Sequence, residues 1–168
     1  MELEREVRIV QDIKARFNIE GEIKRSRRIW VPVDKKKLLE VSGWIKEQGF
    51  KHLSAISVVD WVESGIFEIT YHVWSQKDKI LITFKTSINR QEAVIDSVIT
   101  VWDRNAGIHE RELHELFGVN FKGNPDLAPL FLEDWEGPPP FRKDFDWKEY
   151  TREKYYDSEN ERERVYYK

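Results

Sequence analysis

Three β-rich runs follow one another in the middle of the chain: LSAISVVDWV from Leu53, FEITYHVWS from Phe67 and KILITFKTS from Lys79. They are parted only by Glu63-Ser64-Gly65 and by Gln76-Lys77-Asp78, so they are predicted to form an antiparallel meander. In the second and third runs Phe67, Ile69, Tyr71 and Val73 fall in step with Ile80, Ile82 and Phe84, which makes one face of the sheet a core face. His72 and Trp74 then lie on the other face, where a lone strand histidine reads as a surface or cross-strand residue rather than a ligand.

A sheet with one apolar face needs a cover, and two helical patterns precede it. Leu3, Val7, Val10, Ile13 and Phe17 recur at helical spacing between Glu2 and Phe17. Asp34 can cap a second helix running to Gln48, with Leu38, Leu39, Val41, Trp44 and Ile45 as its stripe and Gly49 where a C′ glycine belongs. Between the helices, residues 22–33 read as extended, with Pro32 arguing for an edge position. The basic cluster Lys24, Arg25, Arg27 and Arg28 in that stretch reads as a solvated strand face that could also meet an acidic or phosphate-bearing partner. After Asn89 the run QEAVIDSVITVWDRNAG is predicted to give a helical turn followed by a strand ending near Trp102.

The 168 residues suit one domain of ordinary size. An apolar share of 40% with 13% aromatics excludes a disordered chain. Lys+Arg 28 against Asp+Glu 31 leaves a net charge of −3, so no global field favours nucleic acid. The absence of Cys excludes disulfides, thiolate catalysis and iron–sulfur ligation by this chain. Balanced charge with one Met and no Cys resembles heat-adapted proteins. The charged start at Met1–Glu6 is unlike a signal peptide, and no apolar run reaches the roughly 20 residues of a membrane span, so membrane contact is expected only through other subunits.

The densest chemical motif is IHERELHELFG, Ile108 to Gly118, expected as a short helix from about Ala106 to Phe117 stopped by Gly118. A zincin helix needs HExxH; the HExxxH here sets His109 and His114 about 140° apart around a helix. Glu112 and Glu115 could share a face, but a di-iron site needs a second such helix, and none is present. On residue chemistry alone Glu110 and His114 read as a surface i,i+4 pair, with Leu113, Leu116 and Phe117 facing the core. From Asn120 onward Pro125, Pro129 and Pro138–Pro140 prevent regular structure, yet Leu127, Leu130, Phe131, Leu132, Trp135, Phe141, Phe145 and Trp147 demand a surface to pack on. The last stretch, residues 148–168, carries balanced charge and five of the six tyrosines, and reads either as a charged tail or as a docking element.

Glu110-Arg111-Glu112, Leu116-Phe117-Gly118, Asn124-Pro125-Asp126-Leu127, Asp134-Trp135-Glu136-Gly137 and Arg142-Lys143-Asp144-Phe145, in that order, resemble the signature of the NuoC family. That family supplies the thirty-kilodalton subunit of respiratory complex I and its counterparts in membrane-bound energy-converting hydrogenases. YHVWS resembles the family's tyrosine-led third strand, and the resemblance covers Leu53 to Asp146. Asn124 replaces a common His, Ala128 a basic residue and Asp146 a proline, and the stretch from Gly137 to Lys143 is one residue longer. These departures look more like the archaeal hydrogenase or ferredoxin-linked branch than a standard NADH:quinone oxidoreductase.

The resemblance implies an α+β domain over residues 1–119, with a mostly antiparallel sheet covered by helices, and an extended partner-docking arm and tail over 120–168. It implies a non-catalytic subunit at the cytoplasmic face of the membrane, clamping a NuoD-like large catalytic subunit beside a NuoB-like iron–sulfur small subunit. Iron–sulfur clusters, and a nickel–iron centre in the hydrogenase case, would belong to those partners, with no cofactor in this chain. The residues expected at the partner interface are Glu110, Arg111, Glu112, Phe117, Gly118, Pro125, Asp126, Asp134, Trp135, Gly137, Phe141, Arg142, Lys143 and Asp144. Three alternatives stay open: a NADH/quinone-type or sulfur-reducing relative, a stand-alone metal-dependent enzyme using Glu110, His114 and Glu115, and a free-standing module whose arm folds back on its own core.

Overall fold

A computed structural model describes residues 3–155. The meander forms as expected: β3 (His52–Trp61), β4 (Ile66–Ser75) and β5 (Ile80–Asn89) pair antiparallel, with Tyr71 opposite Phe84 and Val73 opposite Ile82. The stretch before them is a hairpin, β1 (Glu22–Arg25) and β2 (Arg28–Pro32), and β2 joins β5 in parallel. The sheet order is β1-β2-β5-β4-β3, mostly antiparallel, so the fold is the expected α+β class.

The hairpin corrects the edge position expected from Pro32, because β1 lies outside β2. Pro32 ends β2, an inner strand, but Val33 N–H donates to Lys85 O (2.8 Å), so the neighbouring Pro32 nitrogen points to the β1 side. There β1 has not yet begun, its first residue Glu22 pairing with Trp30, and the missing donor breaks no ladder bond.

Helix α1 (Glu4–Phe17) covers the core face through Ile9, Ile13 and Phe17, which are at most 3% exposed. The expected stripe is thus rotated: Val7 and Leu3 remain about two-fifths exposed, while Glu6 is buried because its carboxylate accepts the Arg27 N–H at 2.9 Å. Helix α2 (Leu38–Glu47) follows a short 3-10 turn capped by Asp34, whose Oδ1 accepts the Lys36 N–H (2.8 Å). Gly49, at φ 99°, reverses the chain after it.

The run from Gln91 to Gly107 reverses the expected order. A short strand β6 (Val94–Asp96) comes first, and helix α3 (Ile99–Phe117) begins three residues later, so Trp102 is helical. Its indole packs on Phe84 (6.0 Å) and donates to Phe50 O (3.2 Å). Asp103, at φ 52° and ψ −134°, interrupts α3, and the second segment corresponds to the helix expected from Ala106. Gly118 ends it at φ 73°, as the sequence indicates.

The first residues assigned to the arm, Asn120–Lys122, form β7, which pairs in parallel with β6 and buries Phe121. From there the chain runs without regular structure to α4 (Trp147–Tyr155). The Tyr-rich segment beyond Tyr155 lies outside the described residues. Among the described residues, no helix is long and apolar enough to cross a membrane.

Candidate partner interface

Where α3 meets the arm, the three residues of Glu110-Arg111-Glu112 point in three directions. Glu110 is fully buried. Its carboxylate accepts from Ser97 Oγ (2.6 Å), Val98 N (2.8 Å) and Asn124 Nδ2 (2.9 Å), tying the start of α3 and the root of the arm to the helix body. The surface pairing expected with His114 does not form; His114 Nδ1 instead meets Val119 O at 2.9 Å. Burial raises the Glu110 pKa above its ordinary value, and the three donors hold the rise back. Glu112 remains near the surface, with His109 at 3.9 Å.

Arg111 and Glu115 grip the arm by its backbone. Arg111 donates to Ala128 O (3.0 Å) and Pro129 O (2.8 Å) and stands 3.4 Å from Asp126. The Glu115 carboxylate accepts the N–H groups of Leu130 (3.1 Å), Phe131 (3.1 Å) and Leu132 (2.6 Å). With Glu110 enclosed and Glu115 engaged by backbone, the proposed ligand set Glu110/His114/Glu115 is dispersed; among the described residues no group of three acidic, His or Cys side chains could hold a metal ion.

Further along, Phe141 N–H donates to Leu116 O (3.0 Å) and Arg142 Nε to Phe117 O (2.8 Å), with the Arg142 guanidinium over the Phe67 ring. Gly118 is where this return path crosses α3. A Cβ there would stand 2.9 Å from Pro139 Cγ and 3.1 Å from Arg142 Nη2, and its φ of 73° already disfavours a side chain. Gly137 is required for a different reason: a Cβ would meet the Trp135 ring at 2.6 Å. Trp135 donates to Pro138 O (2.9 Å) and packs edge-on with Phe145 and at 5.0 Å from Tyr150.

The arm's last fastening is ionic. Arg90, at the end of β5, is 9% exposed; it binds Asp60 through Nε (2.7 Å) and Nη2 (3.1 Å), and Asp144 through Nη1 (3.0 Å) and Nη2. Lys143 N–H adds a bond to Asp60 Oδ2 (3.0 Å). Burial acts to raise the Asp60 pKa, but the Arg90 hydrogen bonds, the Lys143 N–H and the Arg90 charge together lower it. Asp144 is lowered chiefly by its Arg90 hydrogen bonds. Sequence reading missed Asp60 and Arg90, although a charged residue in step with Ile56 and Val58 at the end of β3 was a visible signal.

These groups set opposite pH limbs. A raised folded-state pKa at Glu110 contributes stability that is present below the ordinary Glu value and declines as pH rises through the raised one. Lowered values at Asp60 and Asp144 contribute stability that is present above the ordinary Asp value and lost as pH falls through the lowered ones. The contribution of these groups to urea midpoints measured from pH 3 to 8 should therefore be largest between the ordinary Asp and Glu values, 3.8 and 4.5. Glu110→Gln should flatten the high-pH decline, and Asp60→Asn with Asp144→Asn the acid one; an unchanged profile in either variant would refute the corresponding assignment.

Of the expected interface residues, Glu110, Arg111, Arg142 and Asp144 make their bonds within the chain, and Trp135 is half-buried in its own cluster. Pro125, Asp126, Asp134 and Lys143 are exposed, Gly137 is half-buried, and Phe117 packs between Phe67 and Phe141. The outer side of the arm shows Phe131 (62% exposed), Phe141 (59%) and Trp147 (55%), and residues Leu130–Trp135 line a groove of about 430 Å³.

The sequence profile described as "Respiratory-chain NADH dehydrogenase, 30 Kd subunit" matches residues 31–151. A subunit of the F(420)H(2) dehydrogenase of Methanosarcina mazei is 37% identical over 129 residues, covering 76% of this chain and 81% of its own. A subunit of the NADH-quinone oxidoreductase of Moorella thermoacetica is 35% identical over 116 residues, covering 68% and 76%. Among solved structures, a chain of the membrane-bound sulfane sulfur reductase, an archaeal respiratory membrane complex, superimposes with a TM-score of 0.84 at 31% identity, covering 94% of this chain and 95% of that one.

Proposed function

Because the chain belongs to the respiratory-chain NADH dehydrogenase 30 Kd subunit family, as a subunit of a complex I-related oxidoreductase, we propose that its work is to fasten other subunits together without catalysing a reaction itself. The observation that carries this reading is the arm: its inner side is bonded to α3 and β5, while Phe131, Phe141 and Trp147 face outward. Exposed aromatics on a prefixed backbone are suited to filling apolar pockets, because little further ordering is needed on binding. The partner we propose is the NuoD-like large catalytic subunit, next to a NuoB-like iron–sulfur small subunit, at the cytoplasmic face of the membrane. Metal clusters and chemistry belong to those partners in this reading.

The setting we propose is a ferredoxin-fed, ion-translocating membrane complex. The departures at Asn124, Ala128 and Asp146 support a hydrogenase with a nickel–iron centre in the large subunit. The likeness to a chain of the sulfane sulfur reductase over 94% of this chain favours a second reading, a sulfur-reducing complex.

Trp135 and Arg142 hold the arm internally, so Phe131 and Phe141 are the cleaner probes. A tagged Phe131→Ser/Phe141→Ser chain should recover the large subunit from solubilised membranes about tenfold less well, with its own thermal midpoint lowered only slightly through the lost Phe117–Phe141 contact. Undiminished recovery would overturn the clamp. Nickel in the recovered complex, at one per large subunit, separates the hydrogenase from the sulfur-reducing reading.

A further inference from the structure

The arm fastens at the end of the sheet where β3 and β5 finish, at Asp60 and Arg90. Strand β5 runs ten residues from Ile80 to Asn89, so the opposite end lies about 30 Å away. Two turns meet at that far end. Arg25 and Arg27 flank or occupy the β1–β2 turn, and Lys77 and Lys79 the β4–β5 turn; all four are exposed. Leu81 N–H donates to Arg27 O (3.0 Å), which sets the two turns side by side.

Few acids oppose this cluster. Asp78, between the two lysines, is occupied by Ser75 Oγ (2.9 Å) and stands 3.6 Å from Arg5. Glu6 is buried and accepts the Arg27 backbone N–H. Among the described residues Arg25, Arg27, Lys77 and Lys79 make no ion pair with any acid. A local excess of positive charge on a chain of net charge −3 is a directional field, which composition alone does not reveal.

The open face of the sheet begins beside these turns, and it is aromatic. Arg28, Leu81 and Trp74 lie abreast on β2, β5 and β4, with Arg28 5.7 Å from the Trp74 ring. In the next row stand Trp30 (40% exposed), Thr83 and His72. Lys24 and Lys85 each lie 4.7 Å from the Trp30 ring, but both are neutralised, by Glu22 at 2.5 Å and Glu68 at 2.8 Å. Of the described cations on this face only Arg28, at the edge of the turns and over Trp74, makes no ion pair, so the unpaired charge gathers at the turns and the aromatic surface lies behind it. Both turns are held by backbone bonds, so docking there would order little.

We propose that this end is a second docking surface, for an acidic segment of a neighbouring protein subunit. Its carboxylates would meet Arg25, Arg27, Lys77 and Lys79, and its apolar residues would rest on Trp30 and Trp74. Trp and Arg at a rigid, partly exposed surface are the residue types that dominate interfaces. With the arm at one end and this surface at the other, the sheet becomes a strut between two partners. The inference uses the family's membership of a multi-subunit complex but not the arm's choice of partner.

Zero-length carbodiimide coupling of lysines to carboxylates, applied to native membranes carrying the tagged full chain, tests it. Lys77 or Lys79 should be found joined to Asp or Glu in one acidic stretch of one neighbouring subunit. Arg25→Glu/Arg27→Glu, both in exposed positions, should reduce that product about tenfold by charge repulsion, while recovery of the large subunit through the arm persists. The Phe131→Ser/Phe141→Ser chain should show the converse, so each reading can fail separately. Coupling only within the chain, coupling to a second copy of it, or a product unaffected by the arginine changes would overturn the proposal. So would sedimentation of the purified chain with phosphatidylglycerol-rich vesicles that the arginine changes abolish, which would assign the surface to lipid.

Discussion

Replacing Glu110 by Ala is expected to lower the thermal midpoint of the isolated chain by about 6–12 °C, corresponding to about 3 kcal/mol. The loss comes from three donors left in a dry interior: Ser97 Oγ, the Val98 N–H at the start of α3, and Asn124 Nδ2 at the root of the arm. Glu110→Gln separates charge from hydrogen bonding. Its amide oxygen can still take the Val98 N–H, and Ser97 can turn to accept, but its NH2 faces the Asn124 amide. It should therefore cost less than Ala yet more than nothing, and an Asn124→Asp/Glu110→Gln pair should recover part of the difference. Calorimetry on the three chains decides this. A Glu110→Ala chain as stable as the parent would mean that the carboxylate holds nothing.

Arg90→Ala should be the other costly change, about 3 kcal/mol, because it leaves Asp60, 3% exposed, with its charge uncompensated. It should also free the arm. Asp144 and the Lys143–Asp60 contact lose their common anchor, so trypsin should cut after Arg142 or Lys143 at least tenfold faster than in the parent chain. Asp60→Asn/Arg90→Met removes both buried charges together and should regain much of the stability while leaving the arm loose. Equal trypsin sensitivity in all three chains would show that the arm is held without this pair.

The meander was legible because its pattern is local: alternation in β4 and β5 sets which face is core, and two short turns set the pairing. The role of Glu110 was not legible, since helical spacing places it near His114 on a surface and cannot see that β6 and the arm close over that surface. The rotation of α1 was missed for a related reason. Val7 and Val10 look as apolar as Ile9, and the choice between them is made by Glu6 reaching a turn twenty-one residues away. The run ending at Trp102 was misread as a strand because Val98, Ile99 and Val101 are β-formers, yet the chain is helical there, where the Val98 N–H reaches the Glu110 carboxylate and the Trp102 indole packs in the core. In the candidate interface the signature's order was readable, but its division of labour was not. Arg111 and Glu115 hold the arm from outside it, and only the folded chain shows Phe131 and Trp147 left over on the outer side.

Apart from the Arg111–Asp126 pair, the grip of Arg111 and Glu115 falls on main-chain atoms of residues 128–132. The path of the arm is therefore indifferent to what those residues are, short of a proline at 130–132. Leu130, Phe131 and Leu132 can be exchanged without moving the backbone that displays them. If the arm clamps a partner as proposed, recognition could change with that partner while the mounting stays fixed, as with an interchangeable tool in a permanent holder.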